Sequence, residues 1–189
     1  MFQGAETFNG DISGWNVGKV TNMSSMFEGA ETFNKDISGW DTRNVLDMSY
    51  MFNVAETFNI DISGWNTSNV TDMRQMFELA DNFNQKLNWD TSNVTNMSNM
   101  FRHATSFNGD LSDWDVGQVT NMEGMFAFTE KFNQKLNWDV SRIENMSYMF
   151  EGATSFNRDL SGWDVKSVTN MGHMFIGATS FNQDLSNWD

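Results

Sequence analysis

The chain has no cysteine and no proline among its 189 residues. Without cysteine there is no disulfide framework and no thiolate chemistry. Without proline, the connections between elements lack their usual punctuation. Basic residues are scarce: 11 Lys and Arg stand against 25 Asp and Glu, a formal net charge of −14. A phosphate backbone or an anionic membrane surface needs clustered Lys and Arg, so the charge argues against both as partners, and neither nucleic-acid binding nor membrane insertion is expected. Basic proteins, cationic ligands and divalent metal fit better. No run approaches the length of a membrane-spanning helix, and no basic segment followed by an apolar one opens the chain.

What the chain has instead is repetition. Trp15, Trp40, Trp65, Trp89, Trp114, Trp138, Trp163 and Trp188 recur in steps of 25 residues, with two steps of 24. Met-Phe pairs from Met1-Phe2 to Met174-Phe175 keep the same phase, as do Phe-Asn pairs from Phe8-Asn9 to Phe181-Asn182. All 15 methionines fall at two phases of the repeat. A fixed period of this size signals a solenoid or a propeller, and a unit this short has room for one strand, where a blade needs four. Residues 1–189 therefore read as one repeat array of about 7.5 units. The array starts and ends mid-repeat without caps, as a fragment of a longer chain would.

Within a unit, Met23, Met26, Phe27, Ala30 and Phe33 follow the spacing of one helix face. Thr21 reads as an N-cap, and Thr120 with Glu123 as a capping box. Trp40-Asp41-Thr42 and Trp163-Asp164-Val165 alternate as a short strand does. The expected fold is an α/β solenoid, a right-handed stack with one short parallel strand and one short helix per 24–25 residues. Stacking would bury Trp on Trp, Phe on Phe and Met on Met, with the sheet on the concave face. Gly4, Gly29, Gly152 and Gly177 share a slot with Val54, Leu79, His103 and Phe128. A β-branched residue is disfavoured at positive φ, so this slot reads as a packing convenience and not as an obligatory turn.

Leu160-x-x-Trp163-x-Val165-x-x-Val168-x-x-Met171 resembles the leucine-rich repeat, L-x-x-L-x-L-x-x-N-x-L, with Trp in a leucine slot. The wording VTNMSxMFxGAxxFNxDLSxWDV is similar to the 25-residue repeat of BspA-like bacterial surface proteins and mycoplasma-type surface lipoproteins. The resemblance covers essentially the whole chain. It implies a leucine-rich-repeat-type solenoid, displayed at the cell surface or secreted, and linked to adhesion.

Each prominent polar residue belongs to a column, whereas an active site needs a singular gathering of nucleophile, base and orienting group. The expectation is a non-enzymatic module. Asn9, Asn34, Asn59, Asn84, Asn108, Asn133, Asn157 and Asn182 read as a structural ladder satisfying backbone groups at a bend. Asp11, Asp36, Asp61, Asp110, Asp159 and Asp184 read as Asx turns, replaced by Lys86 and Lys135 in the two short units. Asp41, Asp90, Asp115, Asp139 and Asp164, with Arg43 and Lys166, would face outward beside the Trp column as a partner-binding surface. No cofactor is expected. The favoured account of the file is local hydrogen bonding, with Ca²⁺ at Asp90, Asp115, Asp139 and Asp164 as the alternative. The leading function is adhesion or recognition of a protein or glycan on an acidic concave face. The alternative is a structural spacer in a stalk or array. Open ends would favour end-to-end association.

Overall fold

A computed structural model describes residues 1–188 as a stack of coils, one per repeat. Among these residues there is no helix and no extended strand. The only sheet-like pairing is a file of parallel bridges, one residue per coil, running Asn22–Asp47–Asp72–Asn96–Asn121–Asn145–Asn170. The expected α/β solenoid of the leucine-rich-repeat type is therefore overturned. The pairing also lies seven residues beyond Trp15, not at the Trp-Asp-Thr segment.

The coil is made of turns. From Met23 onward the amides of Met26, Glu28, Ala30 and Phe33 donate to the carbonyls of Met23, Ser25, Phe27 and Ala30, each three residues back. Trp40 and Val45 do the same to Ile37 and Thr42. Steps of three in the apolar pattern thus mark the first and last residues of β-turns, whose side chains point to one interior. This is why the helical reading fails: a helix face and a chain of overlapping turns leave the same spacing.

The deciding bonds are those between coils. The N–H groups of Met23, Ser25, Phe27 and Gly29 donate to Asp47, Ser49, Met51 and Asn53 of the next coil, at 2.7–2.9 Å. In a helix the Phe27 amide would bond Met23, four residues back; here the Met23 carbonyl accepts from Met26. Alternate residues of this segment therefore send N–H forward and C=O to their own coil. The intervening carbonyls accept from the coil behind, as Met26 and Glu28 do from Phe2 and Gly4. With no helix present, Thr21 and Thr120 cap nothing. They lie on an exposed edge, where the Thr95 and Thr169 hydroxyls donate to the carbonyls of Thr71 and Glu144 in the preceding coil.

Two residues per coil have positive φ, four positions apart. One file is Ser25, Tyr50, Gln75, Asn99, Gly124, Tyr148 and His173; the other is Gly4, Gly29, Val54, Leu79, His103, Phe128, Gly152 and Gly177. Each sits third in its turn, where a type II turn demands positive φ. The Gly slot is thus an obligatory turn position, contrary to its reading as a packing convenience. Val54 holds φ 57° because its amide and that of Phe52 are both tied to the following coil, at Glu78 and Met76. The ladder outweighs about 1–2 kcal/mol of local strain.

Three aromatic files fill the core. Phe27 stacks on Phe33 at 4.1 Å within its coil and on Phe52 at 5.5 Å in the next. The Phe27 file steps by 5.5–5.8 Å, the Phe33 file by 5.8–6.1 Å and the Trp file by 6.3–6.5 Å. Under one repeated coil-to-coil motion, a point farther from the axis of that motion travels farther per step. The Trp file therefore lies farther from the axis than the Phe27 file. Each indole from Trp40 onward also donates Nε1–H to a carbonyl 27 or 28 residues back, as Trp65 does to Ile37 at 3.1 Å.

Two substitutions check this account. Val54→Gly should raise stability by about 1 kcal/mol, since glycine adopts positive φ without the Cβ penalty. Phe77→Ala, which empties a fully buried site, should cost about 3–5 kcal/mol. Urea unfolding of both variants against the parent measures the two values.

Candidate functional site

The chemistry-bearing side chains stand in files, and most are engaged in holding the coil. In the Asn file, each amide from Asn34 to Asn182 donates to the side-chain Oδ1 of the asparagine one coil earlier, at 2.9–3.1 Å. Asn9, Asn34, Asn59, Asn84, Asn108, Asn133 and Asn157 supply those oxygens. Gln85, Gln134 and Gln183 reinforce three of the steps by donating Nε2–H to Asn59, Asn108 and Asn157.

The file after Trp is exposed, and its Oδ1 atoms are occupied. Asp90, Asp115 and Asp139 accept the backbone N–H two residues on, from Ser92, Gly117 and Ser141, at 2.9–3.1 Å. Asp41 and Asp164 do so from Arg43 and Lys166 at 3.3 Å, and the Arg43 guanidinium folds back onto Asp41 at 2.8 Å. Asn16 and Asn66 make the same turn with an amide oxygen. The file is therefore a row of Asx turns in which Asp and Asn are interchangeable. It flanks no sheet, and it lies beside the Trp file, on the outer side of the stack. Among the described residues, no three His, Asp or Glu side chains gather in a set that could hold a metal ion.

The second acidic file builds a further Asx turn in the full-length coils, with Ser13, Ser38, Ser63, Ser112, Ser161 and Ser186 donating their amides. The shorter coils at Lys86 and Lys135 lack both this turn and the Ile37–Trp40 type of turn. Shortening leaves a recess of about 200 Å³ between Lys86–Trp89 and Asp110–Trp114.

These bonds set the acidity of the carboxyls. The backbone N–H of Ser63, Ser112 and Ser161, followed by the hydroxyl, holds Asp61, Asp110 and Asp159 below the ordinary carboxylate value. At Asp36, Asp90 and Asp139 the hydroxyl of Ser38, Ser92 or Ser141 is the larger cause. Burial lowers the pKa of His103, whose ring stacks on Phe128 at 4.5 Å, and the nearby Arg102 adds to the effect.

A different surface carries the variation between coils. The four positions of the double turn around its two positive-φ residues read Arg74, Gln75, Glu78 and Leu79 in one coil, Ser98, Asn99, Arg102 and His103 in the next, and Glu123, Gly124, Ala127 and Phe128 in the one after, with Glu78, Ser98, Gly124 and Ala127 buried. Val54, Leu79, His103 and Phe128 occupy one file in four successive coils, with glycine on either side. The sequence reading missed this ridge because it took the segment for a helix. The signal that finds it is the run of four non-glycine residues at a slot where the other coils carry glycine.

Two measurements follow. Asp139→Asn should lower the melting temperature less than Asp139→Ala does, because an amide oxygen accepts the same bond without the charge. Asn108→Ala leaves the Asn133 amide without its acceptor and should cost about 1–3 kcal/mol in urea unfolding. In acid, carboxyls with lowered folded pKa favour the fold above the ordinary value of 3.8. That contribution is lost as pH falls through the lower folded values. Replacing Asp36, Asp61, Asp110 and Asp159 by Asn should flatten the dependence of stability on pH below 3.8.

Among the described residues, no helix is long and apolar enough to cross a membrane. No curated protein and no solved structure matches the chain. A family profile described as "Mycoplasma protein of unknown function, DUF285" matches residues 1–88, 60–137 and 131–189, three overlapping segments that cover the whole sequence. The family in hand is this one, not the BspA-like leucine-rich-repeat proteins of the sequence resemblance. The chain belongs to the DUF285 family of Mycoplasma repeat proteins.

Proposed function

We propose that the chain is a non-enzymatic recognition module of a cell-surface protein, binding a macromolecular partner. The observation that carries this reading is the contrast between its surfaces. The aromatic, Asn and Asx files recur in coil after coil and are engaged in packing or hydrogen bonds. Side chains of changing size and charge stand on the double-turn ridge, from Val54 and Leu79 to His103 and Phe128. A scaffold that holds its interior constant while varying one outward ridge suits recognition by side-chain identity. The acidic exterior favours partners with a basic surface, through steering and complementary charge.

A rigid spacer in a stalk or array is the second reading. The identity of the coil-to-coil ladder favours it, since a spacer needs only self-consistency. The two separate in a binding screen of residues 1–189 against extracellular-matrix proteins, mucins and a glycan array, with and without Ca²⁺. Saturable binding to a panel member is expected. Silence across the panel would overturn recognition in favour of the spacer. Binding that needs Ca²⁺, and is lost in Asp115→Lys/Asp139→Lys, would move the site to the acidic file.

A further inference from the structure

The double-turn ridge has three properties not found together elsewhere on the described surface. Its Val54–Phe128 file is partly open: Leu79 is 38% exposed, Val54, His103 and Phe128 are half-buried, and Tyr148 in the neighbouring file is 39% exposed. It is strained where it could have been relaxed. Val54, Leu79, His103 and Phe128 hold φ of 57–58° at a slot where other coils place glycine. The side chains are there despite the backbone, so their use lies outside the coil's own stability. Finally, it is organised along the stack. The Phe128 ring lies over Gly152, where a Cβ would come within 2.5 Å of the ring. His103 stacks on Phe128, and Tyr148 on His173 at 5.0 Å.

Beside the apolar file is a recess of about 270 Å³ lined by Asn99, Arg102, Glu123, Tyr148 and Glu151. Arg102 is engaged by Glu78 at 3.1 Å, and its guanidinium sits 5.9 Å from the Phe128 ring centre. Glu123 accepts a bond from Asn145, and Glu151 forms no ion pair among the described residues. The recess therefore offers carboxylate and a tyrosine ring next to an apolar strip.

We propose that this ridge docks a partner-protein segment that carries an apolar side chain beside a basic one. The apolar group packs on Leu79 and Phe128, and the cation enters the recess between Glu123, Glu151 and Tyr148. Charge complementarity selects the occupant: the chain carries a net charge of −14, Glu123 and Glu151 in the recess make no ion pair among the described residues, and the Arg102 that lines it is held by Glu78. Aromatic and aliphatic anchors flanked by charge are what protein interfaces concentrate their energy on. The inference rests on the recognition reading and names its site and partner chemistry.

The test uses the 189-residue chain and a short synthetic peptide of alternating leucine and lysine. A serine–lysine peptide of equal charge is the control. Leu79→Gly/Phe128→Gly leaves the net charge unchanged and installs the residue that other coils carry, so it retains the fold, as its melting curve verifies. It should weaken leucine–lysine binding by about tenfold or more and leave serine–lysine binding as it was. Glu123→Gln/Glu151→Gln should weaken both peptides. Equal leucine–lysine affinity in the folded glycine variant overturns the proposal. So does concentration-dependent dimerisation of the parent that the glycine variant abolishes, because the occupant is then a second copy. A panel ligand from the surface screen that binds parent and glycine variant alike leaves the recognition reading standing and the ridge refuted. Silence across that panel, with both peptides binding parent and glycine variant alike, overturns both the recognition reading and the ridge.

Discussion

The structure depends on one alternation of hydrogen bonds. Between Met23 and Gly29, every second N–H points forward to the next coil and every second C=O points back into its own turn. A helix satisfies its backbone within one segment, and a strand satisfies it between segments. This segment divides the task. The division is possible only if the chain reverses curvature every few residues, which is what the two positive-φ positions accomplish. Turns follow from the bonds, and the aromatic files follow from the turns. When the first and last residues of each turn face inward, Met, Phe, Ala and Trp are delivered to one interior at every step.

That interior was legible in the sequence to the extent that its physics is independent of secondary structure. The Trp, Phe and Met columns are marked by period alone, and any stack of coils must bury them: Phe33, Phe58 and Phe83 are fully buried in three successive coils. The coil itself was not legible. Met23, Met26, Phe27 and Ala30 carry a spacing that a helix and a run of β-turns share. Spacing records which side chains face the core and leaves open where the amides go. The information that separates the two is long-range, since Phe27 finds its acceptor at Met51 in the following repeat. A single unit does not contain the reason for its own conformation.

The glycine slot shows the same limit from the other side. Val54 argued against a positive φ by local rules, and the local rules are sound: the residue is strained. They fail because the coils before and after Val54 fix the backbone before its side chain has any say. The acidic files were easier to read. The two short coils lose both a residue and their Asp, which ties that Asp to the missing turn. The file after Trp has the same logic, yet it resembled a binding surface because its carboxylates are exposed and numerous. Asn16 and Asn66, which make the same turn without charge, are the residues that argue otherwise.

Repetition also decides where specificity can reside. A substitution in a core file disturbs two neighbours as well as its own coil, so the files resist change together. The two positive-φ positions of the double turn are half-buried or exposed in every coil except at Gly124, and are free to differ. Strain should then push them toward glycine, the residue that fits the turn at no cost. Five of the fifteen positive-φ positions have gone that way. In the file of Gly4 and Gly29, four of these glycines flank Val54, Leu79, His103 and Phe128, which are consecutive, so the departure from glycine in that file builds one continuous strip instead of scattered points. Chance substitution at a permissive site gives scatter. A continuous strip, held at the expense of the backbone beneath it, fits the proposed docking surface better than scattered substitutions would.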